Sequence, residues 1–454
     1  MRTERDLTEG NVTKSLLLFA GPMILGNLLQ QFYNIVDTWV VGRFVGADAL
    51  ASVGSAYSLM TFLTSILIGL CMGCGALLSF YYGKGDMQRL QDRMHTAFVL
   101  IGAISVVLWL LVQTAVDPIL MLLQVPSELA GMMRDYVSIV FLGILFVFLY
   151  NFFAFVLRAV GNSVVPLCFL GLAAGLNVGL DLFFVVCLDW GLKGAAWATV
   201  FSQVVAGVGL AVYTWAREPG FRFSFRKFAR GEKAVGELLS FSMVTSAQQS
   251  VMNFGILMVQ GLVNSFGAQV MAAFAAAVKI DTFAYMPAQE FGNAYSIFVS
   301  QSFGAGNGKR LKEGTRSALK VSALFCVLVS AGVFLFAGDL MRLFVKREEV
   351  QILAIGVEYL RIEGTFYMGI GILFLLYGYF RGINRPGISL LLTVVSLGSR
   401  VVLAYGLAAV PAIGVAGIWW AIPIGWALAD TVGLLWMRKA PRGSLTDTDS
   451  GICA

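Results

Sequence analysis

Runs of about twenty apolar residues follow one another along nearly the whole of this 454-residue chain, and no other feature restricts its fold so severely. Inside hydrocarbon no water is available to the backbone, so a crossing segment must satisfy its own N–H and C=O groups, and a helix does this within itself. Twelve spans can be placed, at roughly 15–41, 47–82, 94–115, 132–157, 164–188, 192–216, 235–263, 268–303, 314–338, 350–380, 386–407 and 413–437. Only 13% of residues are charged against 58% hydrophobic, with a mean hydropathy of +0.80. A soluble chain carries about a quarter charged residues, so an all-α polytopic membrane protein is expected.

The first fourteen residues are polar, and the run after them is long enough to span without a convincing Ala-x-Ala cleavage site, so no signal peptide is expected. With the N-terminus placed in the cytoplasm, 22 of the 32 Lys and Arg residues fall on that side, 6 on the outer side and 4 within spans. This bias puts both ends inside and requires an even number of helices. The net charge of +6 is thereby a topology signal and gives no reason to expect a nucleic-acid partner. Cys71 and Cys74 have CxxC spacing, but no charged or histidine neighbour accompanies them, so a small-residue packing face is the reading.

The chain also repeats itself. Ser79-Phe-Tyr-Tyr-Gly83-Lys-Gly85-Asp86 recurs as Ser300-Gln-Ser-Phe-Gly304-Ala-Gly306-Asn307, an offset of 221 that also relates Gly46 to Gly267 and Ala51 to Ala272. The offset drifts to 223 further on, where Tyr136 pairs with Tyr359, Arg158 with Arg381, Gly194 with Gly417 and Trp197 with Trp420. Two six-helix halves in the same orientation follow: a cytoplasmic tail 1–14, a first lobe 15–216, a basic linker 217–234, a second lobe 235–438 and a cytoplasmic tail 439–454 that reads as disordered. The segments Asp117 to Arg134 and Asp339 to Glu349 are mildly amphipathic and are expected along the outer interface.

Ionisable residues within spans are costly, by roughly 2.5–3.5 kcal/mol on insertion scales, and mark candidate sites. Asp37 and Asp181 lie in the outer parts of the first and fifth spans, each with an asparagine (Asn34, Asn177) three or four residues earlier on the same helix face. Two carboxylates with amide oxygens suit a sodium ion, and a shielded carboxylate equally suits a proton. Asp37, about four residues or roughly 6 Å from its helix end, can also simply reach water. In the second half Lys279, Asp281 and Glu290 share the eighth span, and Gln248 and Gln249 add neutral hydrogen-bonding groups on the seventh. These are substrate-cavity candidates, with Arg361, Glu363, Arg400 and Asp430 as partners if the charges form a structural network instead. Pro22 and Pro287 are expected to kink their spans. Arg158 and Arg381, each followed by Gly and Asn, read as hinges or lobe anchors.

Taken together, these residues resemble the multidrug and toxic compound extrusion (MATE) transporters. The resemblance runs over about Thr13 to Lys439. It rests on Pro22 with Asn34-x-x-Asp37 and Gly42, Gly83-x-Gly85 with its repeat Gly304-Ala305, Arg158-Ala-x-Gly161-Asn162, Asn177-x-x-x-Asp181, Gly194-Ala-Ala-x-Ala-Thr199 and Arg381-Gly382. It implies a V-shaped pair of lobes, monomeric in a bacterial inner membrane among its lipids, exporting small organic cations and drugs in exchange for H+ or Na+. It further implies that Asp37, Asp181, Asn177 and Thr199 bind the coupling ion, with no other cofactor or metal. Some relatives carry a glutamate in the seventh span; none stands around Gln248-Gln249, which favours the first lobe as the coupling site. The alternative is a flippase for lipid-linked sugars from the same superfamily, whose cavity would hold several cations. An intramembrane enzyme is not expected: the one histidine, His95, lies near a cytoplasmic loop, and no Asp-Asp-x-x-Asp or His-based metal motif is present.

Overall fold

The computed structural model describes residues 7–122, 127–221 and 232–439; the rest of the basic linker and the C-terminal tail lie outside the described residues. Among these residues the regular structure is entirely helical. The helices are α1 (Val12–Val40), α2 (Ala47–Gly83), α3 (Met87–Leu122), α4 (Ser127–Leu142), α5 (Ile144–Ala159), α6 (Val164–Asp181) and α7 (Gly191–Arg217). After the linker come α8 (Glu232–Asn264), α9 (Ala268–Gly304), α10 (Gly308–Arg342), α11 (Val350–Thr365), α12 (Tyr367–Gly382), α13 (Pro386–Ala408) and α14 (Ala416–Lys439).

Nine helical stretches among the described residues are long and apolar enough to cross a bilayer, and two bent pairs qualify when each is taken as one span. The seventh expected span is the 33-residue α8, which has the length but carries Glu237, Gln248, Gln249 and Gln260 and so falls outside that apolar set. The expected fourth and tenth spans are the bent pairs, broken at Gly143 and Phe366 with bends of 40° and 52°. Pro22 and Pro287 sit within continuous helices, while backbone dihedrals leave the helical region at Ala115 in α3 and Phe336 in α10. The segments expected along the outer interface begin as the ends of those two kinked helices.

The repeat motifs acquire a local cause. Gly85 and Gly306 adopt positive φ, 74° and 67°, which turns the chain out of α2 and α9. The next residue then caps the following helix: Asp86 Oδ1 accepts from the Arg89 N–H, and Asn307 Oδ1 from the Arg310 N–H, each at 3.0 Å. Glycine, then a short acidic or amide cap, is what an abrupt helix–turn–helix demands.

Contacts divide the chain into two units. One comprises Gly21–Ser246, the other Leu7–Ala20 and the chain from Ala247 onward, so α1 and α8 each begin in one unit and continue into the other. Within the first unit, Gly69 and Gly73 let α2 press against the start of α8. A Cβ at either would lie 2.5 Å from Ser246 Cα or 2.8 Å from Ser242 Cα. Cys71 and Cys74 are buried, free thiols on that small-residue stretch, as expected of packing residues. The second unit is centred on Trp419, stacked on Phe274 with centroids 5.5 Å apart and edge-on to Tyr359 at 4.9 Å.

Candidate functional site

In the first unit the structure brings Asp37 of α1 and Asp181 of α6 close enough for their carboxyl groups to act on one another electrostatically. Tyr33 of α1 and Tyr136 of α4 share the neighbourhood. Asp181 has 0% and Asn177 2% of its surface exposed, and Asp37 is half-buried. Asp37 Oδ1, both oxygens of Asp181 and both polar atoms of the Asn177 amide are buried without a hydrogen-bond partner. No Lys or Arg forms an ion pair with either aspartate among the described residues. Buried polar atoms cost free energy when left unmatched, and buried charge costs more. A cluster of four unmatched oxygens is therefore a place for an exchangeable positive charge, either a proton or a small hard cation.

Of the other residues expected from sequence, Asn34 donates its side-chain amide to Gln31 Oε1 at 3.4 Å while its backbone carbonyl accepts from Thr38 Oγ1 at 2.8 Å, and Thr199 on α7 is half-buried. One feature was not legible beforehand. Both aspartate-bearing helices run into a π-helical turn, Val41–Val45 after α1 and Leu182–Cys187 after α6, the second starting directly after Asp181. Such widened turns recur at functional sites. Gly194 follows from this, because a Cβ there would meet the Phe184 backbone carbon at 3.1 Å. The Phe184 ring stacks on Trp190 at 5.0 Å.

In the second unit the five candidates separate. Lys279 is exposed and faces away from Asp281, as their spacing of two requires. Asp281 (4% exposed) meets Glu363 (3% exposed) of α11, with Tyr359, Tyr367 and the Arg400 guanidinium around them. Arg400 also lies over the Trp426 ring at 5.9 Å, while Arg361 sits over Phe334 at 5.6 Å. Of the partners proposed from sequence, Glu363 and Arg400 join Asp281; the two tyrosines carried no sequence signal beyond the repeat.

Gln248 and Gln249 line a separate, narrow cleft. Its other walls are Met252 of α8, Gln289 and Asn293 of α9, and Phe374, Tyr377 and Arg381 of α12. Arg381, read from sequence as a hinge or anchor, is a buried wall of this cleft and ties α12 to α9. Its Nη2 donates to Asn293 Oδ1 at 3.0 Å and its Nε to Ser296 Oγ at 3.1 Å. Glu290 lies beside this arginine and accepts from the Asn293 amide at 3.3 Å.

With this geometry established, comparison with known proteins gives a consistent answer. The family profile described as MatE matches residues 22–183 and 242–406. The chain is 31% identical to the "Probable multidrug resistance protein YpnP" of Bacillus subtilis (strain 168), over 88% of each chain. It is 27% identical to the "Probable multidrug resistance protein YoeA" of the same organism, over 94% of this chain and 92% of that one. Among solved structures, one titled "Crystal structure of MATE in complex with MaL6" superposes with a TM-score of 0.90 at 24% identity, covering 95% of this chain and 97% of that one.

Proposed function

Because the chain belongs to the MatE family, whose members are transporters and not enzymes, we propose that it is a secondary active antiporter exporting organic cations and drugs in exchange for H+ or Na+. The observation that carries the coupling half of this reading is the Asp37–Asn177–Asp181 cluster, whose buried oxygens find no hydrogen-bond partner among the described residues. The relatives named as multidrug resistance proteins support the export half.

In this reading Asp37 and Asp181 hold the exchangeable charge and Asn177 contributes its carbonyl oxygen. An ion shifts a conformational equilibrium only as far as it binds one state better than the other. Two like-charged carboxyls in low dielectric provide that difference, since charging both without a cation is strongly disfavoured. The ion that enters from outside compensates them, and its release inside resets the carrier for substrate. The protein thereby alternates access to its two sides. A flippase reading finds less support: Arg400, one of the few cations within spans, lies within electrostatic reach of Asp281 and Glu363.

The test is ethidium efflux by protein reconstituted in proteoliposomes, run separately under a sodium and a proton gradient. Asp37→Asn and Asp181→Asn should each reduce gradient-driven efflux to background while the protein still inserts and purifies. Full efflux by both variants would sink the coupling site, and absence of efflux by the unaltered protein under either gradient would sink the export reading.

A further inference from the structure

The helix α10 begins with a row of positive charge that neither the carboxyl clusters nor the cleft uses. Lys309, Lys312, Arg316 and Lys320 follow one another at helical spacings of three and four, so they share one face, and all four are exposed. Arg310, one residue on from Lys309, turns the other way and is buried. Further along the exposed face stand Leu324 and Val327, 64% and 53% exposed. We propose that this face of α10 binds anionic phospholipid of the cytoplasmic leaflet, the basic row taking the phosphate-bearing headgroups and the leucine and valine beyond it the acyl chains. Binding there requires no transport.

Three observations support this assignment. First, Lys320 falls within the span expected at 314–338, and α10 is peripheral, with only 22% of its most apolar stretch buried. A charge at such a depth ordinarily turns to the protein interior, because hydrocarbon solvates it poorly. Lys320 turns outward instead. Helical side chains lean towards the N-terminus, which for α10 is the cytoplasmic end by the distribution of Lys and Arg. The Lys320 ammonium is thereby carried out of hydrocarbon towards the phosphate layer, while its stem stays along the apolar face. Arg316, one turn earlier and about 6 Å along the axis, reaches the same layer directly.

Second, the row is uncompensated. Among the described residues none of the four forms an ion pair. Glu313 is the one acid between Lys309 and Lys320, and it pairs with none of them. A surplus of three positive charges is left over roughly 16 Å of helix.

Third, the repeat shows that this turn of the chain does not itself demand the row. The counterpart of α10 is α3, where the offset of 221 puts Gln88, Gln91, His95 and Val99 at the four positions. The two arginines that α3 carries there, Arg89 and Arg93, pair with Asp86 and Glu237. The first unit thus matches its charges internally, and the second presents them to what lies outside. A Lys or Arg held near an anionic lipid surface favours it about five-fold, so the row has a ready counter-charge in phosphate headgroups.

The experiment uses the full-length protein in nanodiscs of phosphatidylcholine and phosphatidylglycerol in equal amounts, with a trace of either lipid carrying a diazirine on its acyl chain. Light fixes the probe to its neighbours, and peptide mass spectrometry compares labelling of residues 308–330 on α10 with that of 87–109 on α3. The phosphatidylglycerol probe should label α10 about ten-fold more than the phosphatidylcholine probe, with no such preference on α3. Arg316→Gln and Lys320→Gln should each cut that preference about five-fold, and replacing all four basic residues by glutamine should bring it to parity, whereas Lys320→Arg should keep it. A thermal melt establishes that each variant is folded, and the single variants decide the matter if the quadruple one does not insert. Equal labelling of α10 by both probes, no labelling by either, the same preference on α3, or wild-type preference in the folded glutamine variants would overturn the proposal. So would a preference that emerges only once residues 440–454 are removed, because Asp447 and Asp449 of the tail would then be the occupants of the row.

Discussion

The two units place different chemistry on matching backbone. The kinks at Ala115 and Phe336 are 221 residues apart, and the breaks at Gly143 and Phe366 are 223 apart. At the same offset of 223, Tyr136 beside Asp37 and Asp181 corresponds to Tyr359 beside Asp281 and Glu363. Asn177, one helical turn before Asp181, corresponds to Arg400. Each unit thus holds two carboxyls near an equivalent tyrosine, but where the second has a permanent guanidinium the first has a neutral amide. The aspartates themselves occupy non-equivalent positions, since Asp37 corresponds to Met258 and Asp181 to Ala404. Compensation by one of the protein's own side chains is not exchangeable. In the proposed coupling the first unit relies instead on an ion that arrives and departs, and both of its aspartate-bearing helices run on into π-helical turns.

That contrast can be broken most sharply by giving the first unit what the second possesses. Asn177→Arg should place a fixed cation beside Asp37 and Asp181 and abolish gradient-driven efflux, measured in the same proteoliposomes; efflux at wild-type rate would show that the amide is not what keeps the site open. The reverse change concerns stability. Arg400→Met removes the guanidinium nearest Asp281 and Glu363 and should lower the melting temperature in detergent. Adding Asp281→Asn and Glu363→Gln to that variant should recover most of the loss, because a fully neutral cluster of similar volume is tolerated. A smaller contrast concerns the cytoplasmic turns. Arg310 donates to the backbone carbonyls of Leu7, Glu9 and Gly10, whereas its counterpart Arg89 makes an exposed pair with Asp86. Arg310→Ala should cost about 2–3 kcal/mol and Arg89→Ala under about 0.5 kcal/mol in the same melting assay.

Helix content, the repeat and the pairing of Asp37 with Asp181 were legible in the sequence because each depends on residue type at a regular spacing. Apolar length specifies a span, and an ionisable residue within it stands out against that background. The π-helical turns were not legible, since no side-chain period distinguishes Val41–Val45 from an ordinary last turn. The dihedral breaks at Ala115, three residues before Pro118, and at Phe336 were not anticipated, while Pro22 and Pro287 sit inside continuous helix. The cleft was only half visible: Gln248 and Gln249 were evident, but Gln289, Asn293 and Arg381 join them through the packing of α9 on α12. There Gly292 and Gly378 allow the backbones so close that a Cβ on Gly378 would lie 2.5 Å from the Gly292 carbonyl oxygen.

The seating of Leu7–Ala20 on the second unit has a consequence for synthesis. The residues that receive this segment, Arg310 and Ser317, lie about 300 positions downstream of it, and Leu7, Leu16 and Phe19 are almost wholly buried in the finished protein. At a ribosomal rate of roughly 5–20 residues per second, the earliest stretch waits about fifteen to sixty seconds for its partner to exist. The start of α8 has no such delay, because Tyr81 and Arg93, which bind Glu237, precede it in the chain. The start of α1 is thus fastened only after Arg310 and Ser317 are made, and a nascent chain stalled before residue 310 leaves it unsecured.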